Sequence, residues 1–195
     1  MTILPVQRLG GSARDAYLAH LQALGSEDVR LRFGASLSRE AIARYVDGID
    51  FERDAIFGVH GEGLRLTGAA HLAFGPGDAE LGLSVLPETR RRGVGGALIV
   101  RASEHARNRA STRLFMHCLA ENAAMMRLAR RAGMKVVIEA GDADAHLALP
   151  PATAMSVTSE MIADRVALYD YALRSNVETW RRVGTALAGA SEASR

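Results

Sequence analysis

Between a segment ending at Pro87 and one of helical pattern from about Val94 runs Arg90-Arg91-Arg92-Gly93-Val94-Gly95-Gly96, and this junction constrains the fold most tightly. It predicts strand, loop, helix in immediate succession. Glycines there let a main chain approach a ligand closely. The first turn of the helix presents unpaired N–H groups and the positive end of a dipole, a natural seat for a phosphate. Three adjacent arginines add charge. Two familiar phosphate loops do not fit. The dinucleotide fingerprint needs glycine where Leu98 stands, and the Gly-Lys-Ser/Thr of a P-loop is absent. A solvated arginine loop capping an ordinary helix is the plain alternative.

The rest of the pattern places this junction in an α/β (α+β) chain. Helical spacing runs over 12–24, with Ala16, Leu18, Leu21 and Leu24 apolar, and again from the N-cap Ser38 to about Asp47. Strands are predicted over 55–60, 64–74 and 79–86, with turns at His60–Gly63 and Gly75–Asp78, as an antiparallel meander. Helix over 94–109, strand over 113–119 and helix over 122–132 follow, then strands over 134–138 and 145–149 joined near Gly141-Asp142. Residues 1–150 are read as one domain closed by Pro150-Pro151, and 151–195 as a C-terminal helical extension.

Composition narrows the function. Of 195 residues 48% are hydrophobic and 24% charged, ordinary for a globular chain that needs no staple. The net charge of +2 is too small to argue for nucleic acid. Cys118 is the sole cysteine, so no intrachain disulfide is possible, and a reducing cytoplasm is the expected compartment. Gln7, Arg8, Arg14 and Asp15 interrupt any apolar leader, so no signal peptide is expected, and no stretch has the length of a membrane helix. The histidines show no ligand spacing, and no metal is expected.

Arg90-x-x-Gly93-x-Gly95 resembles the acetyl-CoA signature of the GNAT superfamily, (Q/R)-x-x-G-x-(G/A). In that family the loop follows a bulged fourth strand ending near Val-x-Pro, here Val85-Leu86-Pro87. A later helix opens with asparagine, here Asn122, and closes with Gly-Phe, here Gly133-Met134. Arg30-Leu31-Arg32-Phe33, Ala79-Glu80-Leu81-Gly82-Leu83 and Met126 to Arg131 look like parts of the acetyltransferase domain of bacterial protein lysine acetyltransferases. The resemblance covers about three quarters of the chain and lacks their regulatory domain. It implies a mixed, mostly antiparallel sheet flanked by helices, and acetyl-CoA as co-substrate.

A lysine amine has a solution pKa of about 10.4 and must lose a proton before it attacks a thioester. Glu80, on the strand entering the loop, is the candidate base; the resemblance places the catalytic glutamate there, and partial burial beside a cleft would raise its pKa. A solvent-facing strand residue is the alternative. N–H groups near Val85 would hold the pantetheine arm and polarise the carbonyl. Main-chain N–H groups of Gly93, Val94, Gly95 and Gly96, with Arg90, Arg91 and Arg92 beside them, would hold the pyrophosphate, and the resemblance puts Asn122 near the pantetheine. The tyrosine that protonates the leaving thiol in the family is Ala129 here. His117 reads as a strand residue and Cys118 as a small core residue; an acyl-Cys118 route is the weaker alternative.

Ile162, Val166, Tyr169, Leu173, Trp180 and Leu187 recur at helical spacing. The default reading is packing against the domain. Second is a homodimer contact, with Ile162, Tyr169, Asn176 and Val183 seven apart and Asn176 setting register. A partner or membrane surface is third, and the mixed charges of the polar face argue against membrane. The expected function is acetyl transfer to a primary amine, a protein lysine or a small molecule. The rival is a non-catalytic acyl-CoA sensor signalling through the C-terminal helix.

Overall fold

The structure, a computed structural model, describes residues 4–192, with side chains through Arg181. Among the described residues seven strands form one sheet in the order β1-β2-β3-β4-β5-β7-β6. They are β1 (Gln7–Leu9), β2 (Ala55–His60), β3 (Leu66–Phe74), β4 (Asp78–Val85), β5 (Arg113–Leu119), β6 (Lys135–Glu139) and β7 (Asp142–Ala148). Every pairing is antiparallel except β4 with β5. The helices are α1 (Arg14–Gln22), α2 (Ser26–Phe33), α3 (Arg39–Asp47), α4 (Val94–Asn108), α5 (Ala123–Arg131) and α6 (Ala154–Glu192). The helix α4 makes the crossover that lets β4 and β5 lie parallel.

Strand alternation sends two apolar sets to opposite faces. On one, α4 lays Val94, Leu98, Ile99, Ala102 and Ala106 against Phe57, Leu72, Leu81 and Leu83. On the other, α1 and α3 lay Tyr17, Leu21, Ile42 and Val46 against Ile56, Leu66 and Ala69. The helix α1 therefore buries Tyr17, His20 and Leu21, not the Ala16 and Leu18 of the predicted stripe. Ser38 caps α3 as predicted, its Oγ accepting from the Ala41 N–H at 3.2 Å.

The strand β1 and the helix α2 are additions to the predicted elements. With β1 counted, the arginine-glycine loop follows the fourth strand. The bulge implied by the resemblance is absent from that strand, which pairs with β3 without a register shift.

The helix α6 reverses the expected amphipathic packing. Its polar and small residues face the body. Arg101 of α4, only 4% exposed, meets Glu160 at 3.0 Å and Asp164 at 2.5 Å. Asn108 donates to Glu160 at 2.6 Å, and Ala167 is buried. The apolar stripe points outward, with Ile162 59%, Tyr169 69%, Leu173 68% and Trp180 75% exposed. Arg182, Val183 and Leu187 lie outside the described side chains.

Burial opposes the charge of Glu160, but hydrogen bonds from His105, Asn108 and Arg101 outweigh it and hold the pKa at about 2. A pKa below the ordinary 4.5 means that this clamp stabilises fully above that pH and fades as the pH falls towards 2. The urea midpoint of the wild type is therefore expected to exceed that of Glu160→Gln at pH 6, with the gap narrowing between pH ~5 and ~3.

Candidate active site

Strands β4 and β5 part. They pair only at Asp78↔Arg113, Ala79↔Leu114 and Glu80↔Phe115. Beyond Glu80 one edge of β4 has no strand beside it among the described residues. The Leu86 N–H bonds the Thr67 carbonyl on the β3 side at 2.8 Å, so strand alternation turns the Val85 N–H and carbonyl into the parting. The Val85 carbonyl accepts from Arg90 Nε at 3.0 Å.

A cleft of about 530 Å³ fills this parting. Its floor is Leu83, Ser84 and Val85, and its end is the start of α4. Gly93 caps that helix with φ of +84°, a conformation only glycine takes without strain. The first intrahelical bond runs from the Ala97 N–H to the Gly93 carbonyl, so the N–H groups of Val94, Gly95 and Gly96 precede the ladder. These residues line the cleft with Arg90, Arg91 and Asn122. Arg90 also pairs with Asp28 at 2.7 Å, which ties the loop to α2. The Asn122 Oδ1 accepts the Met125 N–H at 3.0 Å, and its amide donates to the Leu31 carbonyl at 3.4 Å.

Two residues named from the sequence stand outside the cleft wall. Arg92 is exposed in the loop. Glu80 is exposed at the last β4–β5 pair, where partial burial was expected. It shares its sheet face with Gly82 and Ser84, two and four residues on. Three arginines of the cleft were not among the sequence candidates. Arg127 and Arg131 lie one turn apart on α5 and line the cleft. Their spacing was legible; their neighbours in space were not.

The third is Arg32, which closes the cleft near Gly82. Its Nη2 donates to the Tyr45 hydroxyl at 3.3 Å, and its guanidinium lies 4.8 Å from the Phe33 ring centroid. Behind it the Tyr45 hydroxyl donates to His71 Nδ1 at 2.6 Å, and His71 Nε2 donates to the buried Asp54 at 3.1 Å. Burial, with a smaller opposing effect from Asp54, lowers the pKa of His71 and keeps the ring neutral. A Cβ on Gly82 would overlap Arg32 Nη2. Gly82→Ala is therefore expected to displace the guanidinium and lower kcat/KM by about tenfold or more, with little change in the melting midpoint. Steady-state rates beside a thermal melt check this.

Other reactive groups are accounted for locally. His20 donates through Nδ1 to the Leu66 carbonyl at 3.0 Å and accepts from Ser84 Oγ at 2.9 Å; burial keeps it neutral. His117 bonds Asp144 at 2.9 Å, and that bond, with the charges of Asp144, Asp142 and Glu80, raises its pKa. Cys118 is buried and outside the cleft, and burial pushes its thiol up, which leaves little thiolate for an acyl-cysteine. Ala129 is 1% exposed in the core and offers no proton donor. Among the described residues no group of His, Cys, Asp and Glu could hold a metal, and no helix is long and apolar enough to cross a membrane.

The acetyltransferase (GNAT) family model matches residues 28–134, more than half of the chain. The chain belongs to the GNAT acetyltransferase family. It is an acetyl-CoA-dependent N-acyltransferase, and the amine is its acceptor. Solved structures show the same fold. The GNAT domain of a Streptomyces lividans protein acetyltransferase is 20% identical, with 76% of this chain and 95% of that one covered and a TM-score of 0.64. A ribosomal-protein-alanine N-acetyltransferase from Brucella melitensis is 20% identical over 74% and 99%, with a TM-score of 0.57. The PaiA N-acetyltransferase of Thermoplasma acidophilum, in complex with coenzyme A, is 15% identical over 73% and 97%, with a TM-score of 0.56. No curated protein matches the chain.

Proposed function

We propose that this acetyltransferase modifies a lysine side chain displayed on another protein, by direct attack of the amine on acetyl-CoA in a ternary complex. The observation that carries the reading is the parting of β4 from β5 at Glu80, which sets an exposed carboxylate at the mouth of a cleft lined by helix N–H groups and arginines. Coenzyme A supplies the thioester. The N–H groups of Val94, Gly95 and Gly96 and the charges of Arg91, Arg127 and Arg131 would meet its phosphates. The edge of β4 would pair with the pantetheine, and the Val85 N–H would polarise the carbonyl as the tetrahedral oxyanion forms. Glu80 would take the ammonium proton through a water, since it lies outside the cleft wall.

With Ala129 in place of a tyrosine, the thiolate leaves without a donor on that helix. Arg32 is the nearby cation that would offset its charge. A protein acceptor is favoured because the sheet surface around Glu80 and His117 is exposed and acidic. Asp142 and Asp144 are each about half exposed beside His117, and with Glu80 they would draw a cationic side chain. The names of the Streptomyces and Brucella neighbours point to protein substrates as well. A reducing cytoplasm fits a chain whose one cysteine is reduced and buried.

Thiol release from acetyl-CoA, measured with lysine-bearing proteins and with small amines, tests this. Turnover confined to small amines would reject the protein acceptor. Tight coenzyme A binding without turnover on any acceptor would favour the sensor reading, which the absent tyrosine keeps open.

A further inference from the structure

We infer that α6 pairs with α6 of a second copy of this chain as a parallel, in-register two-stranded coiled coil. The helix carries more exposed apolar surface than a lone helix keeps in water. Met155 (76%), Ile162 (59%), Val166 (51%), Tyr169 (69%), Leu173 (68%) and Trp180 (75%) are all more than half exposed. Ile162, Val166, Tyr169, Leu173, Asn176 and Trp180 alternate steps of four and three, the d-a-d-a-d-a order of a heptad seam. Counting from Met155 at d, the seam lasts about three and a half heptads, long enough to hold two helices together.

The body attaches mainly to the opposite side of the same helix, with Gly61–Leu64 lining a groove beside Leu173 and Val177. In this frame Glu160, Ala167 and Arg174 occupy b, and Asp164 and Tyr171 occupy f. Glu160 and Asp164 hold Arg101, Ala167 is buried, Arg174 donates to the His60 carbonyl at 3.4 Å, and the Tyr171 ring packs at a tilt against His60, centroids 4.9 Å apart. These positions lie on the outside of a coiled coil, so two bodies would flank the pair without meeting across the seam.

The flanking charges choose the occupant and its direction. Arg165 falls at g and Asp170 at e, five residues on. In a parallel in-register pair, g of one helix meets e of the other, so Arg165 of each copy would join the Asp170–Arg174 pair (2.7 Å) of the other, and the contact is made twice. An antiparallel pair sets e beside e and g beside g, and the complementarity is lost. Parallel pairing also sets Asn176 against Asn176 of the second copy, where each amide can bond the other rather than face an apolar side chain. The same geometry makes the contact isologous, closing at two copies.

Sedimentation of the full chain across micromolar concentrations tests the pairing. A dimer is expected, and Leu173→Glu, at a position 68% exposed in the single chain, should weaken it about 100-fold or more without altering the fold by circular dichroism. Direction is read from Ile162→Cys and Asn176→Cys, each in a Cys118→Ala background under mild oxidation. Both should cross-link to themselves. An antiparallel pair lets a position meet its own copy only near one midpoint, and these two lie about 21 Å apart along the helix. A monomeric wild type overturns the inference, as does a monomer that binds anionic lipid vesicles through this stripe. A dimer unmoved by Leu173→Glu overturns the seam, and self-cross-linking at one position or neither overturns the parallel arrangement.

Discussion

Glu80→Gln is expected to lower kcat/KM for acetyl transfer by about 10²- to 10⁴-fold, while coenzyme A affinity stays within about twofold of wild type. The amide keeps the shape of the carboxylate and cannot accept the ammonium proton. Affinity should hold because Glu80 stands outside the cleft wall, at the last pair that β4 makes with β5. The loss should shrink as the assay pH rises towards the amine pKa of about 10.4, where the acceptor arrives neutral and needs no base. Rates from pH 7 to 9.5, beside a coenzyme A titration, check both parts. A fall in affinity matching the fall in rate would make Glu80 a structural residue.

The largest expected effect on stability belongs to Arg101→Met. Arg101 is buried between α4 and α6, and it is the cation that faces both Glu160 and Asp164. Removing one partner leaves the Glu160 carboxylate, 12% exposed, with His105 and Asn108 alone. Breaking a buried pair from one side costs about 3–5 kcal/mol; Asp164 is 37% exposed, and water there reduces the loss to about 2–4 kcal/mol. Adding Glu160→Gln to Arg101→Met should recover much of this, since the buried carboxylate is then neutral and Asp164, 37% exposed, is left to water. Urea denaturation of the two single variants and the double variant gives the coupling.

The parts of the molecule that were legible in the sequence share one property: a local rule produces them. Ser38 and Asn122 cap helices through their own side chains, so α3 and α5 start where predicted. The loop from Arg90 to Gly96 places its glycines at a helix start, and the cleft forms there. The parts that were missed depend on neighbours far along the chain. The strand β1 has three residues, too few to show a period, and exists because β2 pairs with it. The helix α2 buries only Val29, so it has no stripe; acidic residues in its first turn and basic ones in its last are what the sequence offered. Arg32 was in view as part of a resemblance, but its role rests on Gly82, fifty residues on, having no side chain. The face of α6 was misread because apolar periodicity reports which side avoids water, not what covers it. Here charged pairs hold the helix to the body and leave the apolar side outward.

The central claim is that the start of α4 holds the phosphates of coenzyme A. Isothermal titration of acetyl-CoA into wild type and Gly96→Glu tests it most directly. A Cβ at Gly96 meets nothing within 4 Å, and a glutamate in the first turn complements the helix dipole, so the unliganded variant should melt at or above the wild-type temperature. Its carboxylate would stand where the pyrophosphate is held, and affinity should fall about 100-fold or more. An affinity equal to that of the wild type, in a variant that folds as well, would contradict the account.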